Sequence, residues 1–325
     1  MLRLASRVAA AHLNNLYVFP AEQPGSKLFE LFVEEFKADL SQALVLVADN
    51  VAAHYCDQTK QQWSAKTDFP CQIPFHSTMF IEWVCPPQMR NSHGGLDKQS
   101  RLHCGVLLRL RKSAEGRWKS PSKIALPANV SSHRDIPDGS EWVVDVRYAV
   151  YDPDMDALVM PILLHEYFLD KDGTYLESGG TLYPQNMSAE EEEEMYHSYL
   201  FMLRDVYMLA LSFANCKNIT QSEAKEMAPP AKWSRRMKAP EFRYHVLSIN
   251  SGGKKRTTMG PTAGDGPGKA LHIVRGNFAT YTEDKPLFGK VVGRVWRPSH
   301  ASGSDKFGVV DKDYNIRKAE GPDEK

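Results

Sequence analysis

Glu141-Trp-Val-Val-Asp-Val-Arg-Tyr-Ala-Val-Tyr151, followed five residues later by Ala157-Leu-Val-Met-Pro-Ile-Leu-Leu-His-Glu-Tyr-Phe168, is rich in β-branched and aromatic residues. Such residues fit a pleated and largely buried surface, so both runs read as strands. Asp170-Lys-Asp-Gly173 is a turn signal that folds the second run back on Thr174-Tyr-Leu176. Working toward the N-terminus, Thr78–Cys85 and Leu102–Arg109 have the same character and are bounded by Pro, Gly, Ser, Asn and Asp clusters. The simplest arrangement of these runs is a meandering antiparallel sheet. Pro161 requires an edge position or a bulge within its run, because it cannot donate to a ladder.

Two stretches around this sheet have helical spacing. From Ser26, a capping residue, Leu28, Leu31, Phe32, Phe36, Leu40 and Leu44 recur at three- and four-residue intervals, which predicts one amphipathic helix running toward Cys56. The second opens at the capping box Ser188-Ala-Glu-Glu191, with acids from Glu190 to Glu194 in its first turns, where the helix dipole favours them. Met195, Tyr199, Met202, Leu203, Val206, Leu209, Ala210 and Phe213 carry its apolar face to about Asn215. Consecutive helical residues splay around the axis, so the glutamate run reads as a solvated helix start and not as a metal site.

Beyond residue 219 the pattern changes. Residues 220–240 are polar and then basic, with Ala228-Pro-Pro-Ala231 and Lys232, Arg235, Arg236 and Lys238, a composition that reads as a linker. Residues 241–318 hold short strand-like runs: Phe242–Ile249, Ala270–Arg275, Gly289–Trp296 and Phe307–Ile316. These predict a small twisted sheet or partly closed barrel, with residues 319–325 a frayed tail. The fold class expected is therefore α+β: an antiparallel sheet with two long amphipathic helices in residues 1–219, followed by a small, mainly-β C-terminal module.

Charge divides the chain the same way. Its 325 residues carry 40 Lys plus Arg and 40 Asp plus Glu, but residues 231–325 hold 19 of the bases against 10 of the acids. A basic segment attracts phosphate backbones through a salt-dependent term. No run approaches the ~18 consecutive apolar residues of a membrane span. Arg3 and Arg7 interrupt the apolar N-terminal patch, which reads as a cytoplasmic start and not as a leader. The five cysteines, Cys56, Cys71, Cys85, Cys104 and Cys216, form no Cys-x-x-Cys pair and read as buried free thiols. His103-Cys104 and His165-Glu166 look ligand-like, yet neighbours on a strand point to opposite faces. No cofactor motif is present: Ser251–Thr258 lacks phosphate-loop spacing, and neither a nucleophile elbow nor a His-Glu-x-x-His occurs.

The densest chemistry falls between His272 and Tyr314. Two histidines, His272 and His300, can serve as general base and general acid. Arg275 and Lys312 can stabilise a pentavalent phosphorane, and Tyr281 and Tyr314 can position a phosphate or stack on a base. Those groups suffice for metal-independent RNA cleavage, because the RNA 2′-hydroxyl itself attacks the adjacent phosphate. Lys254, Lys255 and Arg256 in the Gly-rich segment, with Arg294, Trp296 and Arg297, are the candidate nucleic-acid contacts. The competing reading makes the tyrosines and Trp296 the module's own core.

Leu271-His-Ile-Val-Arg-Gly-Asn-Phe-Ala-Thr-Tyr281, Pro286-Leu-Phe-Gly289, Val295-Trp296, Ser299-His300 and Val310-Asp-Lys-Asp-Tyr314 together resemble a module of an uncharacterised bacterial and phage protein family. Asn215-Cys-Lys-Asn218 extends the resemblance upstream. The matching positions are His272, Arg275, Gly276, Tyr281, Phe288, Gly289, Trp296, His300, Gly303, Lys312 and Tyr314. Asn277 stands where the family pattern has a second His, and Ser302 stands where it has Arg. The resemblance implies a bacterial or phage-infected cytoplasm and carries no biochemical role. The expectation is a protein whose basic module binds nucleic acid, RNA before DNA, with metal-independent cleavage as the sharper form. The alternative is a non-enzymatic interaction protein of a mobile element, its acidic half meeting a protein partner.

Overall fold

The strand-like runs owe their apolar continuity to burial on both faces. The computed structural model describes residues 2–11, 16–19, 27–57, 69, 71–86, 102–115, 136–161, 164–182, 201–248, 270–274, 277–297, 300–302 and 304–309. The chain divides into Met1–Ile249 and Asn250–Lys325.

In the first unit, strands β1 (Leu16–Phe19), β2 (Leu44–Val47), β3 (Thr78–Val84), β4 (His103–Lys112), β5 (Trp142–Asp152), β6 (Ala157–Pro161), β7 (Leu164–Leu169), β8 (Tyr175–Leu182), β9 (Thr220–Glu223) and β10 (Tyr244–Ser248) form one ten-stranded sheet. Its main path runs β1-β6-β5-β4-β3-β2-β10-β9, with β7 beside β5 and β8 beside β7. The middle of the sheet is the expected antiparallel meander: β3, β4 and β5 pair in long continuous registers. The sheet as a whole is mixed, however. β1 runs parallel to β6, and β2 runs parallel to both β3 and β10. Pro161 ends β6, and β6 and β7 share the same edge of β5 with their registers offset by two residues, which is the interruption a proline imposes.

Helices cover both faces. Helices α1 (Leu4–Ala10) and α2 (Lys27–Gln42) lie on one, where Leu4, Val8, Phe36 and Leu40 pack with Val45, Phe80, Leu107, Ala149 and Tyr244 in one buried cluster. Helices α3 (Asp49–Asp57) and α4 (Phe201–Ala214) lie on the other, where Tyr55 donates to Asp205 at 3.1 Å and Tyr207 stacks on Tyr167 of β7 at 6.3 Å. Burial on both faces makes a strand's sequence read as a continuous apolar run instead of an alternating one.

Four further sequence expectations are corrected. The long helix predicted from Ser26 toward Cys56 is two helices, with β2 between them. Leu44-Val-Leu-Val47 continues the helical spacing, but parallel partners on both sides hold it extended. The second helix is buried almost all round from Leu203 to Phe213, so it is not amphipathic over its described length; its capping box at 188–191 lies outside the described residues. The expected linker at 220–240 contains β9 and α5 (Ala231–Met237), and Tyr244–Ser248 belongs to the large sheet and not to the C-terminal module. With the division at 249/250, the bases at 232, 235, 236, 238 and 243 belong to the first unit.

In the second unit, β11 (Ala270–Val274) pairs antiparallel with β14 (His300–Ser302) and parallel with β15 (Ser304–Val309). Strands β12 (Asn277–Tyr281) and β13 (Gly293–Arg297) make a separate antiparallel hairpin.

Candidate nucleic-acid interface and a buried polar cluster

The β12–β13 hairpin carries four of the residues singled out from sequence. Its register sets Phe278 opposite Trp296, Asn277 opposite Arg297 and Thr280 opposite Arg294. Trp296 is only 4% exposed, and its ring centroid lies 4.7 Å from that of Phe278, so the indole is committed to the hairpin's own packing. Arg297 is exposed. Its guanidinium donates to the Tyr281 hydroxyl and sits 5.2 Å from the centre of that ring, a cation–π arrangement that aligns the cation along the strand pair.

The two strands are joined by two consecutive turns: Thr282 bridges Lys285, and Leu287 bridges Val291. At the apex Phe288 adopts φ 53°, a left-handed backbone costly for a bulky residue, and the residue is 86% exposed. Exposed Lys285 and Lys290 flank it, and Val291 and Val292 follow, also exposed. Sequence reading matched Phe288 to the family pattern without giving it a role.

The two histidines fall on the other small sheet. His272 is opposite Ser302 and His300 is opposite Val274, so the two positions have the same parity in the β11–β14 ladder. Arg275, Lys312, Tyr314, Lys254, Lys255 and Arg256 lie outside the described residues.

Sequence reading missed a cluster in the first unit, at the carboxyl ends of parallel strands β2 and β3, the position where open α/β sheets place ligands. Arg3, at the start of α1, makes no side-chain cap. Glu82 of β3 supplies one from the sheet face beneath it, accepting the Ala5 N–H on Oε2 at 2.7 Å. Arg3 donates to Asp49 Oδ2 at 2.8 Å and lies 3.8 Å from Glu82 Oε1, while Asp49 Oδ1 accepts the Val84 N–H. Burial pushes the Glu82 carboxyl up to about 7, against the lowering effect of the Ala5 amide and Arg3. His103 stands edge-on to Tyr151 and is held below its ordinary value by burial and by Arg7 and Arg3. Among the described residues Glu82 Oε1 and His103 Nε2 have no hydrogen-bond partner. The cluster can hold a proton near neutrality beneath α1. Its signal in the sequence was the lone acid within Met79-Phe-Ile-Glu-Trp-Val84.

The strand pairs that looked ligand-like separate as alternation requires. His103 faces the α1 side, whereas Cys104 lies 3.3 Å from Cys85 on the opposite face. Glu166 pairs with Arg111 at 2.5 Å. His165 is buried on the α4 side, where burial and Arg204 push it down to about 4. All five cysteines are buried thiols, none of them in a disulfide.

Protein-family models, curated proteins and solved structures were each searched with this chain, and none matched. Among the described residues no helix is long and apolar enough to cross a membrane.

Proposed function

We propose that this chain binds single-stranded nucleic acid, RNA before DNA, through its C-terminal unit. The observation that carries the reading is the β12–β13 hairpin, which presents exposed Arg297 at one end and exposed Lys285, Lys290 and Phe288 at its turn. Cations that track a phosphate backbone beside an exposed ring are the elements of sequence-tolerant single-strand binding. Trp296 serves this interface as its packed support.

Cleavage is the sharper form of the reading. Same-parity diagonal positions in an antiparallel pair lie about 7–8 Å apart, a separation one phosphodiester can bridge, and His272 and His300 occupy such positions. One imidazole takes the proton from the 2′-hydroxyl as its oxygen bonds to phosphorus. The other gives a proton to the departing 5′-oxygen, leaving a 2′,3′-cyclic phosphate and a 5′-hydroxyl. In this scheme Arg275 and Lys312 contact the phosphate, and Tyr281 and Tyr314 position it.

The test is incubation of the full chain with labelled single-stranded RNA and DNA in EDTA. RNA cleavage that disappears in His300→Ala while binding persists supports the catalytic form. Retention without cleavage leaves a binding protein, and flow-through of both nucleic acids at low salt overturns the proposal.

A further inference from the structure

Helix α5 has two distinct faces. Ser234 is buried and Trp233 and Met237 are half-buried, whereas Lys232, Arg235 and Arg236 are fully on the exposed side. Positions i, i+3 and i+4 are neighbours on one helical face, so these three cations form a single stripe. Pro230 starts the helix, and Lys238, exposed at its C-cap in the left-handed conformation with φ 51°, extends the charge past its end. Arg243 is exposed a few residues further on. Among the described residues none of these five side chains forms an ion pair; Arg235 bonds the Ala231 carbonyl of its own helix. Cations in a last turn complement the helix dipole. That accounts for Arg235 and Arg236 but not for Lys232, Lys238 and Arg243.

The charge is also local. Residues 225–243 hold six Lys or Arg against two Asp or Glu, on a first unit whose other residues carry a net negative charge. The adjoining edge strand, Thr220-Gln-Ser-Glu223, is exposed at every position and offers polar groups instead of an apolar seat. A stripe of uncompensated cations with no apolar centre matches a polyanion backbone better than a protein interface, whose core is depleted of charge.

We infer that the exposed face of α5, Lys232, Arg235 and Arg236 with Lys238 and Arg243, is a phosphate-contacting surface for nucleic acid. It is a second footprint, on the first unit, in addition to that of the C-terminal hairpin, and it rests on the RNA-binding reading. It contributes affinity without sequence preference, because phosphate contacts position a strand and do not read its bases.

The experiment measures anisotropy of a labelled, mixed-sequence RNA of roughly 20 nucleotides against the full chain, from about 50 to about 300 mM salt. Lys232→Ala, Arg235→Ala and Arg236→Ala combined should weaken binding by about tenfold or more at low salt. The combination should also flatten the slope of log affinity on log salt by about 2, from three phosphate contacts at about 0.7 each. The charge-retaining set Lys232→Arg, Arg235→Lys and Arg236→Lys should keep the wild-type slope. Unchanged slope and affinity in the alanine set overturn the inference, as does equal loss in the charge-retaining set. An Arg297→Ala chain separates the two footprints. If only that variant loses slope, the hairpin reading stands and the α5 surface falls; if only the alanine set does, the reverse holds. An absence of RNA binding by the unaltered chain overturns both.

Discussion

The Glu82 carboxyl, 1% exposed on β3, caps α1 by accepting the Ala5 N–H at 2.7 Å. Burial holds the group at about 7 when folded, against an ordinary value of 4.5. Between those values the native state keeps a proton that the unfolded chain has released. The contribution of Glu82 is therefore fully present below about pH 4.5 and is lost as pH rises through about 7. The integrated effect is roughly 3 kcal/mol. Glu82→Gln keeps an oxygen for the Ala5 amide and removes the titration, so its denaturant midpoint should fall less than wild type between pH 5 and pH 8. An identical decline in both proteins would disprove the assignment.

Arg111 bridges two buried carboxylates, Asp145 at 3.2 Å and Glu166 at 2.5 Å. Burial pushes Asp145 up to about 7, with Arg111 opposing the shift and Glu166 adding to it. Replacing Arg111 by Leu removes the cation that both acids share, and loss of one partner of a buried pair costs about 3–5 kcal/mol. Equilibrium unfolding at pH 8 should show that loss, with a smaller one at pH 5, where Asp145 is protonated.

Gly105 of β4 faces α1. A Cβ there would come within 2.3 Å of Phe80 Cζ and 2.8 Å of Leu4 Cδ2. Gly105→Ala must displace both the Phe80 ring and the Leu4 side chain at the start of α1, at about 1–3 kcal/mol. A melting temperature equal to wild type would show that α1 does not hold its place against the sheet.

Trp296 and Arg297 are adjacent on β13, but one is buried and the other exposed. Trp296→Ala should open the C-terminal unit to limited proteolysis, since a buried aromatic truncation costs about 3–5 kcal/mol. Arg297→Ala should leave the proteolysis pattern unchanged and weaken RNA binding. The opposite pattern would return Trp296 to the interface.

The meander β3–β4–β5 was legible in the sequence because long runs such as Glu141–Tyr151 have one reasonable conformation, and the turn at Asp170–Gly173 closes through its own side chain, Asp170 accepting the Thr174 N–H. The opposite-face separation of His103 from Cys104 and of His165 from Glu166 followed from strand alternation alone. Tertiary structure decided what local pattern leaves degenerate. Leu44-Val-Leu-Val47 satisfies helical and strand spacing equally, and its parallel neighbours β3 and β10 settle the matter, far away in the chain. Thr220-Gln-Ser-Glu223 has no apolar pattern and becomes a strand through its register with β10. Glu82 became a helix cap through the approach of a segment 77 residues away. Composition fixes which segments can be strands or helices, because that preference is local. The order of strands, the sides the helices cover and the partner of a buried charge depend on contacts between distant residues, which no window of sequence contains.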